Sequence, residues 1–184
     1  MNRAVFLDRD GVINKNREDY VKSWDEVEFL PGVFEALKEL AGSDFLIFVL
    51  TNQSAVGKGL LTITELDAMH RKMKHVVESQ GGRIDGFYYC PHQPEENCSC
   101  RKPAPGLLLA AAAEHNLRLD QSYFVGDARS DMEAAVNAGC QPVFVLSGRG
   151  KDQLKLLKGP LRKSCEITPN LPTAVNWILQ NGNS

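Results

Sequence analysis

Asp8 and Asp10 flank Arg9 and precede Gly11 at the end of an apolar N-terminal run, where a strand should finish. Strand side chains alternate faces, so both carboxylates are expected to project the same way and Arg9 the other, while Gly11 lets the chain turn sharply away. Two neighbouring like charges call for a cation. A hard ion such as magnesium, bound through oxygens, would cancel the repulsion and leave one carboxylate to attack phosphorus while the other handles a proton. By itself, an Asp-X-Asp tripeptide is as well explained by a solvated turn after a strand.

Three more polar elements follow apolar runs. Phe45 to Leu50 ends in Thr51, Asn52, Gln53 and Ser54, a set of hydroxyls and amides able to grip a phosphate. Arg101 and Lys102 form a cationic pair held before Pro103, and Tyr123-Phe124-Val125 leads into Gly126-Asp127 and Asp131. Singly, each has an ordinary explanation: Thr51 as a helix cap, Lys102 as a surface charge, Asp127 or Asp131 as a helix-starting acid. Jointly they point to one crevice, because ligands of open parallel sheets bind outside the carboxyl ends of the strands.

Three of the five cysteines cluster with a histidine: Cys90, His92, Cys98 and Cys100. Three thiolates and an imidazole are the donors a closed tetrahedral zinc site takes; a disulfide or free thiols are the alternatives for such a cluster. Zinc would order a loop, about residues 90–103, whose Pro91, Pro94 and Gln93 to Asn97 stretch cannot build a core. That loop leads directly into Arg101 and Lys102. Magnesium belongs with the carboxylates and zinc with the thiolates, so the two ions should not exchange places.

The elements that must position these residues alternate between strand and helix. Strands are expected at about Ala4 to Asp8, Phe45 to Thr51, Gly86 to Tyr89, Ser122 to Val125 and Pro142 to Leu146. A helix should begin near Pro31-Gly32 with Val33, Leu37 and Leu40 on one face. A second opens at Thr64-X-X-Asp67 and carries Leu66, Met69, Met73 and Val76 or Val77 before Gly81-Gly82 stops it. Pro105 opens an alanine-rich helix to about His115, and the helix after the fourth strand carries Met132, Ala135 and Val136. Ser147 to Gly150 reads as a flexible loop before a Lys/Leu-rich helix from about Lys151 to Lys158. The last helix, Pro172 to Leu179, packs Val175 and Trp177 or Ile178, and Asn181 to Ser184 should fray. The pattern describes a doubly wound parallel α/β sheet in one domain spanning residues 1–184. His70, His75 and His115 have no acid or thiol at ligand spacing and read as structural residues.

In order and type, Asp8-X-Asp10, Thr51, Lys102 and Gly126-Asp127-X-X-X-Asp131 resemble the four motifs of the haloacid dehalogenase-like phosphohydrolases across nearly the whole chain. The cysteine cluster resembles that of the family's zinc-bearing branch. The resemblance implies a Rossmann-like fold, a magnesium-dependent phosphoric monoester hydrolase, and an aspartyl-phosphate formed on Asp8 with Asp10 as acid and base. By motif position it also implies magnesium held by the Asp8 carboxylate, the Asp10 backbone carbonyl and Asp127, with Asp131 supporting the loop and Thr51 and Lys102 holding phosphoryl oxygens. The intervals after the first and second motifs are too short for an inserted cap domain. Specificity should therefore lie in short loops: Asn16 to Tyr20, Ser54 to Lys58, and the cysteine loop.

Thr51-Asn52-Gln53-Ser54, Gly57-X-Gly59 and Asp19-Tyr20-Val21 resemble branch members acting on a heptose 1,7-bisphosphate more than those acting on histidinol phosphate. Removal of the 7-phosphate, on the route to nucleotide-activated heptose for lipopolysaccharide, is the implied reaction, with histidinol phosphate as the alternative substrate. Tyr20, Arg101, Lys58 and Arg129 are available to the rest of such a sugar. Ala128 departs from relatives that carry lysine directly after the fourth-motif aspartate.

Composition fits a small-molecule enzyme. A chain of 184 residues, 43% hydrophobic, can bury a sizeable core. A net charge of -2 offers no broad basic field for nucleic acid, which disfavours a polynucleotide 3'-phosphatase. The start, Met1-Asn2-Arg3-Ala4-Val5, has no signal-peptide h-region and no run reaches membrane-spanning length, so a cytoplasmic monomer is expected. Lys151, Lys155, Lys158 and Lys163 read as a solvated face rather than a membrane-binding one. A non-enzymatic phospho-receiver module would also use acids, magnesium, Thr and Lys, but would accept phosphate after its third strand and would not need zinc.

Overall fold

Val5 and Leu7 face one core while Ala4 and Phe6 face another, as expected of a strand covered on both sides. The structure, a computed structural model, describes residues 1–182. Its strands are β1 (Ala4–Leu7), β2 (Leu46–Asn52), β3 (Gly86–Cys90), β4 (Tyr123–Gly126), β5 (Gln141–Val145) and β6 (Glu166–Thr168). All pair in parallel in the order β3-β2-β1-β4-β5-β6. Phe6 lies opposite Phe48 on β2 and Phe124 on β4, with ring centroids 5.9 and 6.5 Å away. This aromatic row braces the strands whose ends carry Asp8, Thr51 and Asp127.

The helices are α1 (Val33–Ala41), α2 (Ser54–Gly57), α3 (Ile63–Ser79), α4 (Gly106–His115), α5 (Arg129–Ala138), α6 (Gly150–Gln153), α7 (Gly159–Ser164) and α8 (Leu171–Asn181). Residues of α1, α3 and α8 fill the core on the Val5 and Leu7 face; Leu107, Leu108 and Ala111 of α4 and Ala134 and Ala135 of α5 fill the other. The sheet is thus doubly wound, and order reverses between β1 and β4, where α/β sheets open a binding crevice. Between β2 and β3 the chain spends its length on α2 and α3, with no inserted cap. No helix of the described residues is long and apolar enough to cross a membrane.

Several sequence expectations need correction. The cap of α3 is Thr62, whose hydroxyl accepts from Glu65 N while the Glu65 carboxylate accepts from Thr62 N, not Thr64 with Asp67. Starting there puts Leu61 just before the cap and Leu66 on the first turn, and both are buried in one apolar cluster. Val77 rather than Val76 faces the core, and Val136 is exposed. The lysine-rich stretch is not one helix: α6, a 3-10 turn at Leu154–Leu156 and α7 share it, and its four lysines are exposed. Three-residue β6 was not expected. The C-terminal end does not fray at Asn181, which closes α8, and Gly182 is buried, its carbonyl accepting from Arg3 Nη1; Asn183 and Ser184 lie outside the described residues.

Candidate active site

The four motif elements meet at the carboxyl ends of β1, β2 and β4, in a cleft of about 760 Å3 lined by Asp8, Asp10, Thr51, Asn52, Gln53, Ser54, Arg101, Lys102, Asp131 and Tyr20. Lys102 lies buried at its floor. Its Nζ donates to Asp8 Oδ1 at 2.9 Å and to the Leu50 carbonyl at 3.1 Å, and sits 2.7 Å from Asp131 Oδ1. The other Asp131 oxygen accepts from Ala128 N at 3.1 Å, so this side chain caps α5 as well as pairing Lys102. Asn52 sets the backbone of Lys102, accepting from its N–H at 3.1 Å and donating to its carbonyl at 3.2 Å. The cation is therefore positioned from both ends.

Asp127 is fully buried. Its Oδ2 accepts from Arg149 N at 2.7 Å, and its Oδ1 has no hydrogen-bond partner. Oxygens of Asp8, Asp127 and Asp131 lie within 4.8 Å of one another. Three carboxylates face the buried Lys102 ammonium and, 4.0 Å from Asp127 Oδ2, the exposed Arg149 guanidinium, which leaves an excess of negative charge that a divalent ion would offset. Burial, opposed by Lys102 and reinforced by Asp131, Asp127 and Asp10, pushes the Asp8 carboxyl up to about 8. Burial and the Asp131 charge push Asp127 up to about 6 against Arg149 and Lys102. An attacking carboxylate must be ionised, so these shifts and the orphaned oxygen both fit a cation at this spot.

Asp10 shows the opposite balance. Burial would raise it, yet the Arg9 guanidinium and hydrogen bonds from Asn14, Arg9 and Gln53 hold it below the usual carboxylate range. Arg9 does not point away, as strand alternation had suggested: β1 ends at Leu7, and beyond it the side chain turns back, with Nε 3.1 Å from Asp10 Oδ2 and Nη2 3.2 Å from Oδ1. Asn14 Nδ2 donates to Oδ1 at 2.8 Å. Gln53 Nε2 reaches both Asp10 Oδ2, at 3.0 Å, and Thr51 Oγ1, at 2.8 Å.

Two glycines make the close packing possible. Gly11 has φ +94°, and a Cβ on it would stand 2.0 Å from Asp127 Oδ2; one on Gly148, φ +57°, would stand 2.4 Å from the same atom. The loop carrying Gly148 reads in the sequence as a flexible one. Instead it closes one side of the site, with Ser147 Oγ donating to the Gly11 carbonyl at 2.8 Å and Arg149 on the cleft wall. Position at the end of β5 is the signal that could have found it. Asn14, a polar position just after the first motif that donates to Asp10, was also missed, whereas Asn16, which opens the first expected specificity loop, lines the cleft.

At the mouth, Arg101 Nη1 donates to Ser54 Oγ at 2.7 Å and to the His92 carbonyl at 3.0 Å, and Lys58 Nζ donates to Tyr20 OH at 2.8 Å. Behind Arg101 the cysteine cluster is assembled. Cys90 Sγ is 3.5 Å from Cys98 Sγ and from His92 Nδ1, while Cys100 Sγ is 3.4 Å from Cys98 Sγ and 3.3 Å from His92 Nδ1. These separations are too long for a disulfide, and all five cysteines are free. They come near the ~3.8 Å between sulfurs that tetrahedral ligation at about 2.3 Å requires.

A family model described as "HAD-hyrolase-like" matches residues 99–172. The D-glycero-beta-D-manno-heptose-1,7-bisphosphate 7-phosphatase of Pseudomonas aeruginosa is 38% identical, over 98% of this chain and 100% of that one. The enzyme of the same name from Escherichia coli K12 is 36% identical, over 97% and 88%. The crystal structure of D,D-heptose 1,7-bisphosphate phosphatase from B. bronchiseptica, complexed with magnesium and phosphate, superposes with a TM-score of 0.91 at 36% identity, over 97% of this chain and 98% of that one. The chain belongs to the haloacid dehalogenase-like hydrolases, in the family of the D-glycero-beta-D-manno-heptose-1,7-bisphosphate 7-phosphatases.

Proposed function

We propose that this protein is a magnesium-dependent phosphatase that removes the 7-phosphate of D-glycero-β-D-manno-heptose 1,7-bisphosphate, leaving the 1-phosphate for nucleotide activation toward lipopolysaccharide. The observation that carries the reading is Asp8, held against Lys102 in an open cleft, in a chain similar over nearly its full length to enzymes of that name. The single domain acts as a cytoplasmic monomer on a small phosphorylated sugar.

Asp8 attacks phosphorus in line; the Asp8–phosphorus bond forms as the bond to the sugar oxygen breaks, and Asp10 gives that oxygen a proton. Asp10 then takes a proton from the water that displaces Asp8 from phosphorus. Lys102 and Thr51 hold phosphoryl oxygens, while Asn52, Gln53 and Ser54 support them and reach toward substrate. Arg101 and Tyr20, with Lys58, meet the remainder of the sugar and its second phosphate. The Asp8 carboxylate, Asp127 and the Asp10 carbonyl would hold magnesium, which supplies charge neutralisation at the transferring phosphoryl group. Cys90, His92, Cys98 and Cys100 would hold a structural zinc that steadies Arg101 and Lys102.

Phosphate release from both heptose bisphosphate anomers and from histidinol phosphate tests this. The β-anomer should give the highest kcat/KM; a higher value for histidinol phosphate would move the protein to the other substrate of the branch.

A further inference from the structure

Arg9 is the largest fully buried side chain among the described residues, 1% exposed, and the reaction above gives it no task. Its donors are all aimed. Nε and Nη2 form a fork on the two Asp10 oxygens, Nη2 also reaches Gln53 Oε1 at 3.2 Å, and Nη1 lies 3.3 Å from His70 Nε2 and 3.8 Å from Met69 Sδ. A guanidinium only donates, so His70 Nε2 must accept and the ring hydrogen sits on Nδ1. That nitrogen is buried with no partner. The ring is 3% exposed and stacked on Phe87, centroids 4.4 Å apart at 11°. A ring so placed loses half its hydrogen-bonding capacity on burial, a cost that a Leu or Phe at this position of α3 would not carry. The hydrogen-bond contact it gains is the one to Arg9.

Asp10 needs such a support. It stands beyond the end of β1, in an isolated bridge with Asn14, with its side chain 23% exposed to the cleft, so the sheet does not fix its carboxylate plane. A planar fork does so where a point charge would not. We propose that Arg9 is a positioning residue for Asp10, and that His70 is the acceptor that selects the orientation of Arg9, so that one fixed carboxylate serves both the leaving oxygen and the attacking water. This rests on the acid–base role given to Asp10 above.

The test uses p-nitrophenyl phosphate, whose leaving group needs no acid, beside the heptose bisphosphate, whose leaving alkoxide does, with the full chain and added magnesium. In Arg9→Met, stopped flow should show a nitrophenolate burst approaching one equivalent, because water attack on the aspartyl-phosphate becomes slow. Its kcat/KM should fall at least about tenfold more on the bisphosphate than on the aryl ester. His70→Phe, which keeps the stack on Phe87, should shift both readouts the same way by less, and His70→Gln, whose amide oxygen can accept from Nη1, should restore them. If Arg9→Met does not melt cooperatively, the burst is read in His70→Phe. Equal losses on both substrates without a burst, or kinetics like wild type, overturn the proposal, and His70→Gln behaving like His70→Phe overturns the acceptor role. The burst is read on the aryl ester alone, so it stands or falls separately from the sugar assignment, which wild-type turnover of the bisphosphate decides.

Discussion

The carboxylate cleft and the cysteine loop stand at the ends of neighbouring strands, and each gathers metal-ligating side chains within 4.8 Å. In the loop, the thiol side chains meet one another and His92, a four-donor set that leaves a metal no open position. In the cleft each acid is already tied to something else, Asp8 and Asp131 to Lys102 and Asp127 to Arg149 N, while Asp127 Oδ1 is buried without a partner. The first arrangement suits an ion that holds chain together. The second suits one that leaves room for a phosphate, because Lys102 and the backbone carry part of the charge.

Replacing one donor in each region breaks this comparison most directly. Asp8→Asn should lower kcat by at least about 10^4, roughly 5.5 kcal/mol in barrier, with the melting temperature little changed. Phosphate release with magnesium present is the measurement, and activity within about tenfold of wild type would show that Asp8 is not the nucleophile. Asp10→Asn should also be severely impaired. Next in size is Lys102→Met, which leaves Asp8 and Asp131 buried without their ammonium and should cost about 3–5 kcal/mol in urea melts run without magnesium. Magnesium should recover part of that loss in the variant; an equal loss with and without magnesium would mean that the cleft does not share its charge between Lys102 and an ion.

The loop should respond in the reverse sense. Cys98→Ser or Cys100→Ser should lose about one equivalent of zinc by metal analysis and about 3 kcal/mol of stability, a fall in melting temperature of roughly 6–12 °C. Activity should drop less than in Asp8→Asn, through disorder of Arg101 and Lys102. Reduced, freshly purified wild-type protein without zinc would remove the distinction between the two regions.

Which parts could be read from sequence follows from the same physics. Apolar runs buried on both faces, Phe45 to Leu50 above all, announce β2, and the rule that ligands gather at strand ends then brings Asp8, Thr51, Lys102 and Asp127 together before any coordinates exist. Side chains beyond a strand end obey no such periodicity. Arg9 was assigned the face opposite Asp10 by alternation, whereas the strand has stopped at Leu7 and the guanidinium turns back. Ser147 to Gly150 reads as a flexible loop, yet its glycines serve close packing, Gly148 against Asp127 and Gly150 against the Val145 carbonyl. β6, at three residues on a sheet edge, is too short to carry a period. Thr62 and Thr64 both head a Thr-X-X-acid tetrad, and the burial of Leu61 with Leu66 decides between them.

The smallest expected effect separates the regions by acid. Above pH 6.5 the His70 ring is neutral in folded and unfolded chains alike and adds no pH dependence. Below it the unfolded chain binds a proton that the folded ring, pushed down to about 3 by burial and the Arg9 guanidinium, does not take, so stability is lost as pH falls from 6.5 toward 3. At pH 5 the difference amounts to about 2 kcal/mol. His70→Phe has no ring to protonate, so between pH 7 and pH 5 its urea stability should fall less than that of wild type by about this amount, whatever its stability at pH 7. Zinc release, followed with a chelating dye over the same range, should be unchanged in the variant, because His70 contacts Arg9 and not the thiols. A shift of zinc release with the substitution would mean that the two regions are coupled through α3 and β3. Parallel loss of stability in both proteins would mean that the buried ring titrates with an ordinary value, and that the wall behind Asp10 is wetter than its packing against Phe87 and Met69 implies.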